Sequence, residues 1–339
     1  MTTARRLGRT DLEVPPIGLG TWQFSGGHGM AGRFWEAIAQ STIDEVVDAA
    51  LRGGIRLFDT AEMYGNGESE RRLSSALRTA GKKPGDVTIA TKWNPIFRVA
   101  SSIAATIDVR LQCLAPFPID LYQVHQPLGL STVEAEMNAM ADLVAAHKVR
   151  FVGVSNFGPD RMRRAHVALA ARGLVLASNQ VKYSLLDRAI ERDGTLALAR
   201  ELGVAIIAYS PLEQGLLTGR FHDDPDSIRA RPGPRRFMPA FHHRRLAQTR
   251  PVIDALRQVA RAHGAEPSQV ALAWLTQFHG DLVFAIPGAS RRAQAETNAG
   301  ALELKLTPEE LRAIDEVSWR LGSTAQRPSA PSGQSHASV

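Results

Sequence analysis

The sequence predicts an α/β fold: a single (β/α)8 TIM barrel spanning residues 1–321. Three observations predict it. Short apolar runs alternate with longer helical stretches from about residue 40 onward. The runs are continuously apolar, which suits parallel strands buried on both faces. The strand–helix alternation supplies eight strands, the number that closes a barrel.

The elements follow in order. Ile17-Gly18-Leu19-Gly20 forms the first strand. Residues 42–52 read as a helix closed by Gly53-Gly54, a C-cap signal, and Ile55-Arg56-Leu57-Phe58-Asp59 is the second strand. Further strands are predicted over 87–92, 119–125, 149–155, 174–180, 204–209 and 283–286, with helices over 102–114, 133–146, 194–202 and 268–278. Two segments stand outside the alternation. Residues 220–250 read as a long loop rich in Arg, Pro and Asp, and loops of that length within a compact domain are functional or disordered. Residues 322–339 are rich in Ser, Pro, Ala and Gly and are expected to form a disordered tail.

The 339 residues, 44% hydrophobic and 22% charged, can build a core without a disulfide or a metal. Cys113 is the only cysteine, which excludes an internal disulfide and argues against a cysteine-based zinc site; no metal is expected. The first ten residues are polar and no run approaches the ~18 apolar residues of a membrane helix, so a cytoplasmic protein is expected.

The net charge of +6 raises the question of nucleic acid. Much of it sits in one stretch holding Arg229, Arg231, Arg235, Arg236, Arg244 and Arg245, broken by Pro232, Pro234 and Pro239. Those prolines rule out a continuous basic helix, and no zinc-finger, homeodomain or basic-zipper spacing accompanies them. A phosphorylated small molecule suits one basic loop better than DNA or RNA. Oligomeric state has no signal in the sequence.

In such a barrel, polar residues at the C-terminal strand ends converge on one face. Here those ends carry Asp59, Lys92, His125, Ser155-Asn156, Gln180 and Tyr209-Ser210, with Tyr64 in the loop after Asp59. An acid, an amine, an imidazole and a phenol therefore meet at one rim. A phenol alone, with a pKa of ~10, exchanges protons poorly near neutrality. A neighbouring ammonium would lower that pKa. Lys92 is expected to supply the charge, Asp59 to fix Lys92, and His125 to hydrogen-bond a developing oxyanion.

The segment Phe58-Asp59-Thr60-Ala61-Glu62-Met63-Tyr64-Gly65 resembles the aldo/keto reductase signature. Ala90-Thr91-Lys92-Trp93, Leu121-Tyr122-Gln123-Val124-His125 and Gly153-Val154-Ser155-Asn156-Phe157 follow in that family's order. So do Tyr209-Ser210-Pro211-Leu212-Glu213-Gln214-Gly215 and Ile286-Pro287-Gly288-Ala289-Ser290, and the likeness runs from about Leu7 to Leu321. The resemblance implies an NADP(H)-dependent oxidoreductase reducing an aldehyde or ketone, or running the reverse reaction. Tyr64 would be its proton donor, with Asp59, Lys92 and His125 completing the catalytic set.

It also implies cofactor contacts. Thr21, Trp22 and Asp59 would lie near the nicotinamide; Ser155, Asn156 and Gln180 would hold its carboxamide, with Tyr209 stacked on the ring. Ser210, Leu212, Gly215 and Arg220 would follow the pyrophosphate. Gly288, Ser290, Gln294 and Asn298 would hold the 2′-phosphate and adenine, Ser290 opening a helix. Arg291 or Arg292, and one of Arg235 and Arg236, would complete a charged clamp. Trp22, Phe24 and Trp93, with Phe97, would line the substrate pocket.

Gly27-His28-Gly29-Met30-Ala31-Gly32 matches the G-x-G-x-x-G dinucleotide pattern, but it follows no strand and opens no helix, so it is rejected as a Rossmann site. Two positions depart from the family. Thr297 stands where many relatives carry Glu, and Lys182 replaces a Glu common after Asn179-Gln180-Val181. A second function remains open: a regulatory barrel that binds NADP(H) and turns over slowly, similar to the potassium-channel β subunits. A barrel hydrolase would need a metal or paired carboxylates at the strand ends, where Asp59 stands alone.

Overall fold

The structure is a computed structural model and describes residues 4–27, 34–228 and 234–321. Its centre is one parallel eight-stranded sheet. Numbering strands along the chain, β3 (Leu19–Gly20), β4 (Leu57–Asp59), β5 (Thr88–Trp93), β6 (Ile119–Val124), β7 (Val149–Ser155), β8 (Leu176–Lys182), β9 (Ala205–Tyr209) and β10 (Val283–Ala285) pair in sequence order. Parallel bridges Ile17↔Ala285 and Gly20↔Gly288 join the last strand to the first and close the barrel. Closure needs glycine there: a Cβ on Gly20 would stand 2.8 Å from the Ile286 carbonyl oxygen.

All eight predicted strands are present, with ends shifted by no more than two residues. Helices of eight or more residues cover the outside: α1 (Gln40–Arg52), α2 (Glu68–Thr79), α3 (Ser101–Leu114), α4 (Val133–Ala145), α5 (Pro159–Ala170), α6 (Thr195–Leu202), α7 (His243–His263), α8 (Pro267–Gln277), α9 (Arg292–Gly300) and α10 (Pro308–Arg320). An antiparallel hairpin, β1 (Arg5–Arg6) and β2 (Glu13–Val14), was not read from the sequence. It plugs the N-terminal mouth, where Leu7, Leu12 and Val14 pack on the interior residues Leu57, Ala90, Leu121 and Ile207.

The expected loop over 220–250 needs correction. α7 begins at His243 and carries Pro251 inside it. Its buried face of Leu246, Thr249, Val252, Ile253 and Leu256 packs on the barrel, and that burial overrides the weak local propensity. Arg229 and Arg231, most of the rejected glycine motif, and the expected tail at 322–339 lie outside the described residues. Among the described residues no helix is long and apolar enough to cross a membrane.

Strand periodicity builds the site. Side chains alternate across a strand, so residues two apart share a face. Leu57, Ala90, Leu121 and Ile207 form an apolar interior layer. Two residues further along the same strands, the interior side chains are Asp59, Lys92, Gln123 and Tyr209. The interior thus changes from apolar to polar toward the C-terminal face.

Candidate active site

Asp59 and Lys92 meet inside the barrel. Lys92 Nζ donates to Asp59 Oδ1 at 2.5 Å and to the Thr60 carbonyl at 2.8 Å, and both side chains are shut from solvent. The other carboxylate oxygen, Asp59 Oδ2, accepts from Gln180 Nε2 at 2.8 Å and from Gln123 Nε2 at 3.4 Å. Burying two opposite charges costs desolvation free energy, which is offset only where geometry and further hydrogen bonds are good. The two amides supply those bonds.

Tyr64 lies above this pair. Its ring centroid is 5.1 Å from Lys92 Nζ, and the His125 ring meets it edge-on at 5.8 Å. The loop carrying it is held by a hydroxyl knot. Thr60 Oγ1 donates to Ser69 Oγ (3.0 Å), and Ser69 Oγ donates to the Thr21 carbonyl (2.8 Å). Thr21 sends both its N–H and its hydroxyl to the Asp59 carbonyl.

The electrostatics differ from the expectation at one point. Burial raises the Tyr64 phenol above its ordinary value, and the Asp59 carboxylate raises it further. The expected depression by Lys92 does not prevail: burial dominates, and the carboxylate of Asp59, paired with that ammonium, acts on the phenol in the opposite sense. Burial also lowers the Lys92 ammonium. Burial, then the Lys92 charge, pushes His125 down to about 3, so its imidazole is neutral near pH 7. Its Nδ1 is buried with no hydrogen-bond partner among the described residues.

The residues expected around the nicotinamide form one chain. Tyr209 Oη donates to Asn156 Oδ1 (3.0 Å), and Asn156 Nδ2 donates to Ser155 Oγ (3.0 Å) and the His125 carbonyl (3.3 Å). Asn156 and Ser210, just past their strands, both have left-handed backbone, with φ of 61° and 51°. Glu213, Gln214 and Gly215 continue that conformation, and Leu212 accepts the Gly215 N–H at 2.9 Å. Gln180 commits its Nε2 to Asp59.

At the other end, Ser290 directs its N–H and hydroxyl to Gln294 Oε1, at 2.9 and 3.1 Å. Asn298 Nδ2 donates to the Gly288 carbonyl at 3.4 Å. α9 starts at Arg292, so Ser290 precedes the helix and does not open it. Arg292 is tied to Glu296 at 2.7 Å, and Arg236 lies over the Phe237 ring at 4.7 Å. Arg220 and Arg291 are exposed. The side chain of Arg235 lies outside the described residues.

Three expected positions fall elsewhere. Thr21 is fully buried and spends its side chain on the scaffold, so it presents nothing to a cofactor. Phe24 and Trp93 are fully buried core residues. Trp93 is next to Lys92 on β5, so it faces the helix layer, where its indole N–H reaches Ser102 Oγ at 3.1 Å. Trp22 does reach the rim, with its ring 6.1 Å from that of Tyr64.

The structure adds partners the sequence reading missed. Phe34 stacks on Trp22 at 4.8 Å and Trp35 meets Trp22 edge-on at 5.8 Å, making an aromatic wall. Gln23 lies against Gly288, and its Oε1 is buried without a partner among the described residues. Gln123 lies two residues before His125, so strand alternation alone puts the two on one face. Gln23, Phe34 and Trp35 carried no local signal. Among the described residues no group of three or more His, Cys, Asp or Glu side chains could hold a metal.

Comparison with known proteins shows the family. Residues 16–318 match the profile of the Aldo/keto reductase family. An oxidoreductase of Mycobacterium tuberculosis of uncharacterised activity is 36% identical over 309 residues, 90% of each chain. The aldo-keto reductase yakc [NADP(+)] of Schizosaccharomyces pombe is 30% identical over 316 residues, 90% of this chain and 88% of that one. The solved glycerol dehydrogenase of Gluconobacter oxydans superposes with a TM-score of 0.79 at 27% identity, covering 98% and 99% of the two chains. The chain belongs to the aldo/keto reductase family of oxidoreductases.

Proposed function

We propose that this protein is an NADP(H)-dependent reductase of aldehydes or ketones, or the reverse alcohol dehydrogenase, with Tyr64 as the proton donor. One observation carries the reading: a closed Lys92–Asp59 ion pair lies beneath Tyr64, with a neutral His125 against the same ring.

The residues present fit the cofactor. Two buried polar atoms at this face, Gln23 Oε1 and His125 Nδ1, lack partners among the described residues and mark places where a polar ligand would be held. Tyr209 and Trp22 offer half-buried rings, and the family resemblance assigns a phosphate to Ser290, Gln294 and Arg291. The name of the yeast relative supports NADP over NAD. When bound, the reduced nicotinamide supplies the hydride.

The rest is the work of the side chains. The raised phenol keeps Tyr64 protonated near neutrality, which suits a general acid in the reductive direction. His125 is neutral and orients the carbonyl by a hydrogen bond without adding charge. As negative charge develops on the substrate oxygen, the Lys92 ammonium stabilises it through the phenol. Gln180 and Gln123 keep Asp59 fixed so that Lys92 does not move. The aromatic wall of Trp22, Phe34 and Trp35 favours an apolar or aromatic carbonyl compound.

The test is NADPH oxidation, followed by absorbance, with a panel of aldehydes, ketones and sugars. Tyr64→Phe removes one hydroxyl and should lower kcat by ~10²–10⁴-fold with unchanged NADPH affinity. A variant keeping more than about a tenth of kcat would assign the proton to another group. No oxidation with any panel member would overturn the reductase reading.

A further inference from the structure

We infer that Glu62 and Arg98, which have no proposed contact with substrate or cofactor, are positioning residues that lock together the loop bearing Tyr64 and the two loops that follow Lys92 and His125. The inference rests on the proposed roles of those three residues.

Glu62 lies two residues before Tyr64 and is almost fully buried. Its N–H donates to the Lys92 carbonyl at 3.2 Å, and its own carbonyl accepts the Gly67 N–H at 3.0 Å, on the far side of Tyr64. Its carboxylate divides between two partners on the loop after β5. Oε2 accepts the Asn94 backbone N–H at 2.9 Å, and Oε1 accepts Arg98 Nη1 at 2.7 Å. The loop that leaves β5 just after Lys92 and Trp93 is thereby joined to the Tyr64 loop at two points.

Arg98 extends the connection. Its carbonyl accepts the Leu130 N–H at 2.9 Å, and Ser131 Oγ accepts the Ala100 N–H at 2.9 Å. Leu130 and Ser131 belong to the loop that leaves His125. One ion pair with flanking backbone bonds therefore spans all three loops.

Phe97 supports this assignment. It has left-handed backbone, φ 57°, which a bulky side chain adopts at a cost, while its ring is 87% exposed and contributes no packing in return. What the turn accomplishes is to bring Arg98 back to Glu62. Strain of this kind persists where the surroundings over-determine it.

The test uses Glu62→Gln, which keeps shape and an acceptor for Asn94, Arg98→Met, Arg98→Lys and the double variant Glu62→Gln/Arg98→Met. Arg164→Met, at an exposed pair remote from the site, is the control. With a panel aldehyde that the wild type reduces, Glu62→Gln and Arg98→Met should each lose at least ~10-fold in kcat, as misplacement of reacting groups does, while Arg164→Met keeps the wild-type rate. NADPH affinity by fluorescence should stay within about twofold. The double variant should be no worse than the poorer single one, and Arg98→Lys should recover part of the rate.

Backbone hydrogen exchange provides a readout independent of turnover: Arg98→Met should speed exchange at Glu62, Gly67 and Leu130 but not within β5 or β6. Unchanged exchange at those amides would overturn the brace. So would unchanged kcat, additive losses, or NADPH affinity falling in step with kcat. A wild type inactive on every carbonyl would instead overturn the reductase reading, with exchange still deciding the brace.

Discussion

Lys92 Nζ lies 2.5 Å from Asp59 Oδ1 and 5.1 Å from the Tyr64 ring centroid, so the ammonium that would act on the phenol is already paired with a carboxylate. Removing one member of a buried pair leaves the other uncompensated, at a cost of about 3–5 kcal/mol. Lys92→Met should therefore lower stability to urea by that order. Adding Asp59→Asn should restore most of the stability and none of the activity. A double variant as unstable as Lys92→Met would mean that the loss is packing and not charge.

The pH dependence of reduction should be flat on the alkaline side. The Tyr64 phenol is raised above its ordinary value, so it retains its proton through the neutral range and beyond. A kcat for reduction that falls between pH 7 and pH 9 in the wild type and not in a cofactor-release control would contradict this.

His125 contributes a stability slope in acid. Its folded pKa is about 3 against an ordinary 6.5, so below pH 6.5 the unfolded chain binds a proton that the folded chain does not. That contribution is present above pH 6.5 and is lost as pH falls toward 3. Glu70 and Glu136, each raised to about 7 by burial, act in the opposite sense between pH 4.5 and 7. The informative quantity is therefore a difference between variants. From pH 7 to pH 5 the wild type should lose about 2 kcal/mol more than His125→Gln in urea unfolding. Equal losses would place a protonated histidine in the folded state.

Cofactor choice should depend on Arg291 more than on Arg292, which Glu296 already occupies. Losing one charged contact to phosphate costs ~1.5–3 kcal/mol. Arg291→Gln should weaken NADPH by about 10- to 150-fold and leave NADH unchanged, with the gap shrinking as salt rises. The wild type should prefer NADPH by at least ~10-fold. Equal effects on both cofactors in fluorescence titration would remove Arg291 from the phosphate site.

Lys182 ties the end of β8 to the left-handed segment after β9, pairing with Asp187 at 3.0 Å and Glu213 at 3.1 Å. The lysine is partly exposed, and pairs of that kind are worth ~0.2–1 kcal/mol. Lys182→Met should weaken NADPH binding by no more than about fivefold and leave kcat at saturating cofactor unchanged. A larger loss would show that Lys182 contacts the cofactor itself.

The barrel, and the strand ends at which chemistry would sit, were legible in the residue pattern alone. Eight parallel strands buried on both faces must be continuously apolar, and where a polar residue ends such a run, it lies at a rim. That reasoning placed Asp59, Lys92 and His125 and, through the following loop, Tyr64. It could not tell the inside of the barrel from the outside, since both are apolar, and so assigned Trp93 to a pocket that it faces away from. It read the Arg, Pro and Asp-rich composition of residues 220–250 as one loop, whereas the buried face of α7 makes a helix from His243 onward.

The electrostatics were not legible there, because they arise from contacts that form on folding. A pKa depends on every charge and every ångström of burial around a group, and Asp59 and Gln180, 121 residues apart, meet only after the barrel closes. The Glu62–Arg98 pair was invisible for the same reason: 36 residues separate its members, and only the fold brings their loops together. Local residue pattern encodes which faces are buried. The sum of long-range contacts sets how strongly each charge is held.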